Sequence, residues 1–227
     1  MQLALLVDNS QAAESFIRDY RQALPAFVRG VAADSNVQGR HQISVIALAA
    51  RPTILSDYTP DPEVAIKEIE RMFAQSFSGT YLLDGIVEVS QGMRRRSYTR
   101  PVIVAVVSEG PELGNRLHQQ VLEPLEAAGA TLHIVVVGTP QNNSHERSVV
   151  IQRGTSESGG SLHTLLASSA LDDRMKRLAA ELTNQYRVTY ARPQTLIQPE
   201  RLRVTSPRAD VNVRATPVRE QGPSRQP

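Results

Sequence analysis

The sequence predicts an α/β fold: a doubly wound, mainly parallel sheet of about six strands with helices on both faces, followed by a small C-terminal β extension. Three observations carry that prediction. Short runs at residues 3–7 (LALLV), 101–107 (PVIVAVV) and 131–137 (TLHIVVV) are apolar throughout, as strands buried on both faces must be. The segments between them show helical spacing instead. Strand and helix alternate along the chain, which brings parallel strands together through right-handed crossovers.

The elements follow in order. Residues 3–7 form a buried strand that ends at Asp8. Ala12, Phe16, Tyr20, Leu24, Phe27 and Val31 then recur at helical spacing, with Pro25 as a point of kinking. Residues 43–49 are a second strand, and residues 51–55 turn back beside it. Asp61 starts a helix carrying Val64, Ile66, Ile69 and Met72. The stretch SFSGT is a loop, and residues 81–95 are helical again. After the strand at 101–107, a helix is expected over 111–128, stopping at Gly129. The strand at 131–137 ends at Gly138. Leu171, Met175, Leu178 and Leu182 give an amphipathic helix over 171–184. Residues 186–190 (YRVTY) alternate and read as the last main strand, with Tyr186 and Tyr190 on one face. The chain therefore divides into a main domain over 1–192, a β extension over 193–216 and a disordered tail over 217–227.

Composition narrows the chemistry. The 227 residues are 41% hydrophobic, enough for one real core and an extension. Cysteine is absent, which excludes disulfides, thiol nucleophiles and Cys-ligated metal. No apolar run is long enough to span a bilayer, and the opening MQLALLVDNS lacks the basic leader of a signal peptide. The compartment stays open on these grounds. The formal net charge is +2, but residues 186–227 hold eight Arg against three acids. Such a segment is able to bind anions or nucleic acid, although no aromatic ladder interleaves its arginines as single-strand binding requires.

In a doubly wound sheet, ligands bind at the carboxyl ends of the strands. Three oxygen-bearing groups fall there: Asp8 with Ser10, Thr80 before a helix, and Ser108 with Glu109. Oxygen ligands from separate loops suit a hard divalent cation such as Mg²⁺ or Mn²⁺. A second reading has Asp8, Ser10 and Thr80 capping the helices that follow them.

Other signals are weaker. Residues 154–161 (GTSESGGS) approach a phosphate loop, but Gly160 stands where its lysine belongs, and a Gly-rich turn before a helix explains the stretch as well. None of His41, His118, His133, His145 and His163 forms a zinc-binding i, i+4 pair. His145 and Glu146 fall in a polar loop, and His133, inside an apolar strand, reads as a core histidine bonded to backbone. Asp84 suits the first turn of its helix, and the cluster Arg94, Arg95, Arg96 and Arg100 suits a helix end. No carboxylate is paired with a nucleophile or base, so the chain reads as no enzyme. An enzyme or nucleotide-binding protein using the strand ends is the alternative.

The order and spacing of these segments resemble the von Willebrand factor type A domain over roughly residues 3–190. The resemblance rests on Asp8-Asn9-Ser10-Gln11-Ala12, on Gly79-Thr80, on Ser108-Glu109-Gly110 and on the late GTSESGGSLHTL. The ending NQYRVTYARP is similar to a bacterial, acidobacterial-type subgroup of that family. The resemblance implies a non-catalytic adhesion or scaffold module. It also implies a metal-ion-dependent adhesion site, holding Mg²⁺ or Mn²⁺ with Asp8, Ser10, Thr80 and Glu109, that bridges to a carboxylate on a protein partner. Two departures stand out. Ala12 has no hydroxyl where the motif has serine, and Glu109 stands where the motif has aspartate. The subgroup further implies an exported protein if the true start lies upstream of Met1, and a trimmed or cytoplasmic form otherwise.

Overall fold

The computed structural model describes residues 1–33, 41–96, 100–141, 144–186, 188, 204–208 and 213–216. Six strands form one sheet: β1 (Gln2–Val7), β2 (Gln42–Ala47), β3 (Thr53–Thr59), β4 (Pro101–Ser108), β5 (Thr131–Val137) and β6 (Ser161–Leu165). Their order is β3-β2-β1-β4-β5-β6, parallel except for the antiparallel edge β3. The chain reverses direction across the sheet between β1 and β4, so the loops after these two strands face each other over a crevice.

Side chains alternate between two cores. Leu3, Leu5, Val7, Val104, Val106 and Val135 point to one face. There they meet α1 (Ile17–Ala32), α2 (Pro62–Arg71) and α7 (Leu171–Thr183). Ala4, Leu6, Ile103, Ala105, Val107 and Ile134 point to the other. They meet α3 (Leu82–Arg96) and α4 (His118–Ala128) there. Every residue of β4 and β5 is buried, which is why those segments carry no polar alternation. Each fully buried Leu, Ile or Val contributes about 1.5–3 kcal/mol.

Local chemistry sets the helix ends. A 3₁₀ turn, Gln11–Phe16, leads into α1, which runs unbroken through Pro25. Asp61 accepts the Glu63 N–H at 3.0 Å and Pro62 occupies the first turn of α2, as the sequence suggested. Gly129 closes α4 at φ 63°. Between β5 and β6, α5 (His145–Val149) continues through a π turn, Val150–Gly154, into α6 (Thr155–Glu157).

Several expectations need correction. The helix placed over 111–128 begins only at His118, because residues 111–117 are tied to Thr80 as a loop. His145 opens a helix rather than lying in a loop. The sixth strand of the described sheet is Ser161–Leu165. Tyr186 and Val188 are exposed, and residues 187, 189 and 190 lie outside the described residues. Most of the proposed extension over 193–216, and all of 217–227, also lie outside them. Among the described residues no helix is long and apolar enough to cross a membrane.

Candidate metal centre and interaction face

Asp8 follows β1 and remains in its ladder, donating its N–H to Val106 O at 2.9 Å. Its carboxylate is wholly buried. A buried carboxylate needs donors, and four are supplied. Oδ1 accepts the Ser10 N–H at 2.9 Å. Oδ2 accepts the Thr80 hydroxyl at 2.9 Å, the Ser108 N–H at 3.1 Å and the Ser108 hydroxyl. Ser10 Oγ and Thr80 Oγ1 lie 3.3 Å apart. Three of the four predicted residues, Asp8, Ser10 and Thr80, thus converge. The buried phenol of Tyr20 has its pKa raised well above 10.0 by burial first and by the charge of Asp8 second.

The capping reading fails for the two hydroxyls. The Ser10 side chain makes no cap bond. The first N–H of α3, Leu82, is accepted by Glu112 Oε2 at 3.2 Å, from a loop thirty residues on. Thr80 is instead fixed by backbone: its N–H goes to Pro111 O at 3.0 Å and its carbonyl accepts Leu113 N–H at 2.9 Å.

The intervening motif residues fasten the neighbouring loops. Asn9 Oδ1 accepts Ala49 N–H at 3.0 Å, and Asn9 Nδ2 donates to Phe73 O at 3.2 Å. Gln11 Oε1 accepts the N–H of Phe77 at 3.1 Å. Phe77 sits at φ 58°, a left-handed conformation unusual for an aromatic residue, and is 97% exposed. Phe73 is exposed as well, so two of the four phenylalanines project from one loop beside the site.

The third loop runs against Ala12: a Cβ on Gly110 would lie 2.5 Å from Ala12 Cβ. A methyl group therefore occupies the place where the motif has a hydroxyl. Glu109 stands apart from the other three. It lines a cleft of about 200 Å³ with Pro140, Gln141, Arg147 and Thr164, to which Asp8, Ser10 and Thr80 do not contribute. Its Oε2 is 4.0 Å from Nη1 of the buried Arg147. Arg147 donates to Ser108 O at 2.8 Å and to Gly110 O at 3.1 Å.

Arg147 and Glu112 escaped the sequence reading. Arg147, Val150 and Gly154 recur at helical spacing and are all buried, and that periodicity was the available signal. Glu112 also accepts Gly114 N–H at 3.1 Å. Burial raises its pKa to about 7 against the opposing pull of those backbone N–H groups.

Other expected features lie elsewhere. Asp84 pairs with Arg116 at 2.7 Å. Arg96 of the basic cluster lies over the Tyr58 ring and pairs with Asp57 at 3.4 Å. His133 bonds the Ser161 hydroxyl at 2.9 Å rather than backbone. Gly159 and Gly160 precede strand β6, not a helix, so no helix N-terminus is offered to a phosphate there. Arg214 of the basic segment pairs with Glu181 at 2.7 Å.

The donor set partly suits a divalent cation. Among the described residues no three carboxylates or histidines gather as a metal-holding group. One carboxylate and two hydroxyls do gather, and hard oxygens of this kind are what Mg²⁺ or Mn²⁺ takes, with water completing the shell.

No protein-family model and no curated protein sequence matches the chain. Solved structures do match. Proximal thread matrix protein 1 from the mussel byssus superposes with a TM-score of 0.62 at 17% identity, over 80% of this chain and 46% of that one. BatB from Bacteroides thetaiotaomicron gives 0.59 at 13% identity, over 82% of this chain and 100% of that one. The von Willebrand factor A domain of SpRpn10 gives 0.57 at 17% identity, over 76% and 92%. The mussel protein has also been solved with a zinc-occupied adhesion-site motif. The chain spans under half the length of that mussel protein. At these identities the likeness establishes architecture: the chain has the von Willebrand factor type A fold.

Proposed function

We propose that this domain is a non-catalytic protein-interaction module that binds a partner protein at the loop face around Asp8, Ser10, Thr80 and Glu109. The observation that carries the reading is the convergence of Asp8, Ser10 and Thr80 at the crevice of this fold. Asp8, Ser10 and Thr80 would hold Mg²⁺ or Mn²⁺, with Glu109 at the margin. When bound, the cation supplies a positive pole for a carboxylate on the partner. Ala12 removes one oxygen from the set, so the cation is held weakly. The exposed Phe73 and Phe77 add apolar contact area on the rim, of the kind that dominates protein interfaces.

The test is calorimetric titration of EDTA-stripped protein with Mg²⁺ and then Mn²⁺. Weak saturable binding is expected, lost in Ser10→Ala and in Asp8→Ala, and strengthened in Ala12→Ser. The absence of heat and of a thermal shift at millimolar metal, in both the parent and Ala12→Ser, removes the metal from the reading. The partner search then proceeds without it.

A further inference from the structure

Arg147 is the largest fully buried side chain described, and it carries a charge. A guanidinium in that position needs acceptors. It takes the carbonyls of Ser108 and Gly110, the residues on either side of Glu109. Its Nη1 also stands 4.0 Å from the Glu109 carboxylate, with side-chain exposures of only 1% and 11% for the pair. Its Nε is buried without an acceptor. One side chain therefore grips the whole Ser108-Glu109-Gly110 turn from beneath. Ser108 in turn gives Asp8 both its N–H and its hydroxyl.

The charges matter for any cation at the crevice. A divalent ion among Asp8, Ser10 and Thr80 would share the Ser108 turn with a fixed positive charge. Like charges near one low-dielectric site disfavour each other. The ion would also compete with Arg147 for Glu109, the carboxylate next to that turn. Glutamate is one methylene longer than aspartate, and the extra length carries the Glu109 carboxylate toward Arg147.

We propose that Arg147 is a resident cation that occupies Glu109 and holds down the divalent-metal affinity of this face, so that the partner is met without a tightly bound metal. The proposal rests on Asp8, Ser10 and Thr80 being the metal-facing set.

Mn²⁺ titration by calorimetry tests it on the full chain and four variants. Arg147→Met and Glu109→Asp are each expected to raise affinity by about tenfold or more, the first by removing the repelling charge, the second by freeing a shorter carboxylate. Where the parent shows no heat, the gain is read as binding that appears. Glu109→Gln is expected to lower affinity, because it removes the carboxylate that offsets the Arg147 charge beside the ion. Affinity unchanged in both Arg147→Met and Glu109→Asp overturns the proposal. So does a rise in affinity in Glu109→Gln, which an uncompensated Arg147 charge would forbid. Should Arg147→Met not fold, the two Glu109 variants decide alone. Asp8→Ala combined with Glu109→Asp separates the two readings. Metal binding that survives it removes the metal-facing set itself, whereas a missing gain removes only the role of Arg147.

Discussion

The two ends of the sheet handle charge in opposite ways. At the carboxyl end, Asp8 and Arg147 are fully buried and held by backbone and hydroxyl partners from three separate loops. At the amino end, Arg174, Glu181 and Arg214 form a chain of ion pairs at 2.5 and 2.7 Å that reaches solvent. A partly exposed network of this kind contributes modestly to folding. Buried, fixed charges are expensive to desolvate and rarely raise stability over an apolar core. Among the described residues Asp8 and Arg147 are the carboxylate and the guanidinium that are wholly buried, and the proposed interaction face is built around them.

Glycine substitutions give the sharpest break of the comparison. A Cβ on Gly160, at the amino end, would meet the backbone oxygen of Leu132 at 1.8 Å. Gly160→Ala is expected to destabilise by about 3 kcal/mol or more in urea unfolding. Gly110→Ala, at the carboxyl end, meets only the Ala12 methyl at 2.5 Å. A loss of about 1–3 kcal/mol is expected there. A larger loss at Gly110 would mean that the site loop is more rigid than the support beneath it.

Removing carboxylates comes next. Asp8→Ala leaves four buried donors without an acceptor and is expected to cost about 2–4 kcal/mol. Glu181→Ala, in the partly exposed network, is expected to cost about 1 kcal/mol or less. Equal losses in denaturant titrations would erase the contrast between the ends.

The same contrast has a pH signature. Glu112 at the carboxyl end has its pKa raised by burial from 4.5 to about 7. The native state then holds a proton that the unfolded chain releases, so stability falls as pH rises from about 4.5 to 7. His133, near the amino end, has its pKa lowered by burial from 6.5 to about 4. Here the unfolded chain gains the proton first, so stability falls as pH drops from about 6.5 to 4. The two slopes oppose each other across the middle of that range. Melting temperatures between pH 4 and 8 should show a shallow maximum near pH 5–6 from this pair. Glu112→Gln is expected to flatten the alkaline fall, by about 1–2 kcal/mol, and to leave the His133 rise uncompensated between about pH 4.5 and 6.5. An unchanged alkaline slope would place the titrating group elsewhere.

What the sequence revealed follows from which physical constraint dominates each segment. β1, β4 and β5 are buried on both faces, so their apolar runs admit no other reading. β6 is a five-residue edge strand in which only Ser161 is buried, and its pattern SLHTL carries little apolar signal. Alternation at 186–190 looked stronger, yet Tyr186 and Val188 are exposed. Asp8, Ser10 and Thr80 were legible because each directly follows a strand or precedes a helix at the crevice. Arg147 and Glu112 were not, because an Arg or Glu in a polar stretch is ordinarily solvated. Their burial depends on long-range partners, Ser108 and Gly110 for one and Leu82 for the other, that no local pattern encodes.

The smallest effect is expected at Phe77. Its φ of 58° is a conformation that side chains with a Cβ adopt only at a cost, and at 97% exposure its ring gains little from burial in return. Asparagine tolerates the left-handed region and keeps the N–H that Gln11 accepts. Phe77→Asn is therefore expected to stabilise the chain by about 0.5–1 kcal/mol, read as a rise in melting temperature. A fall instead would show that the ring packs against the domain in solution. A rise would show that Phe77 holds its left-handed conformation at a cost to stability, on the rim of the proposed interaction face.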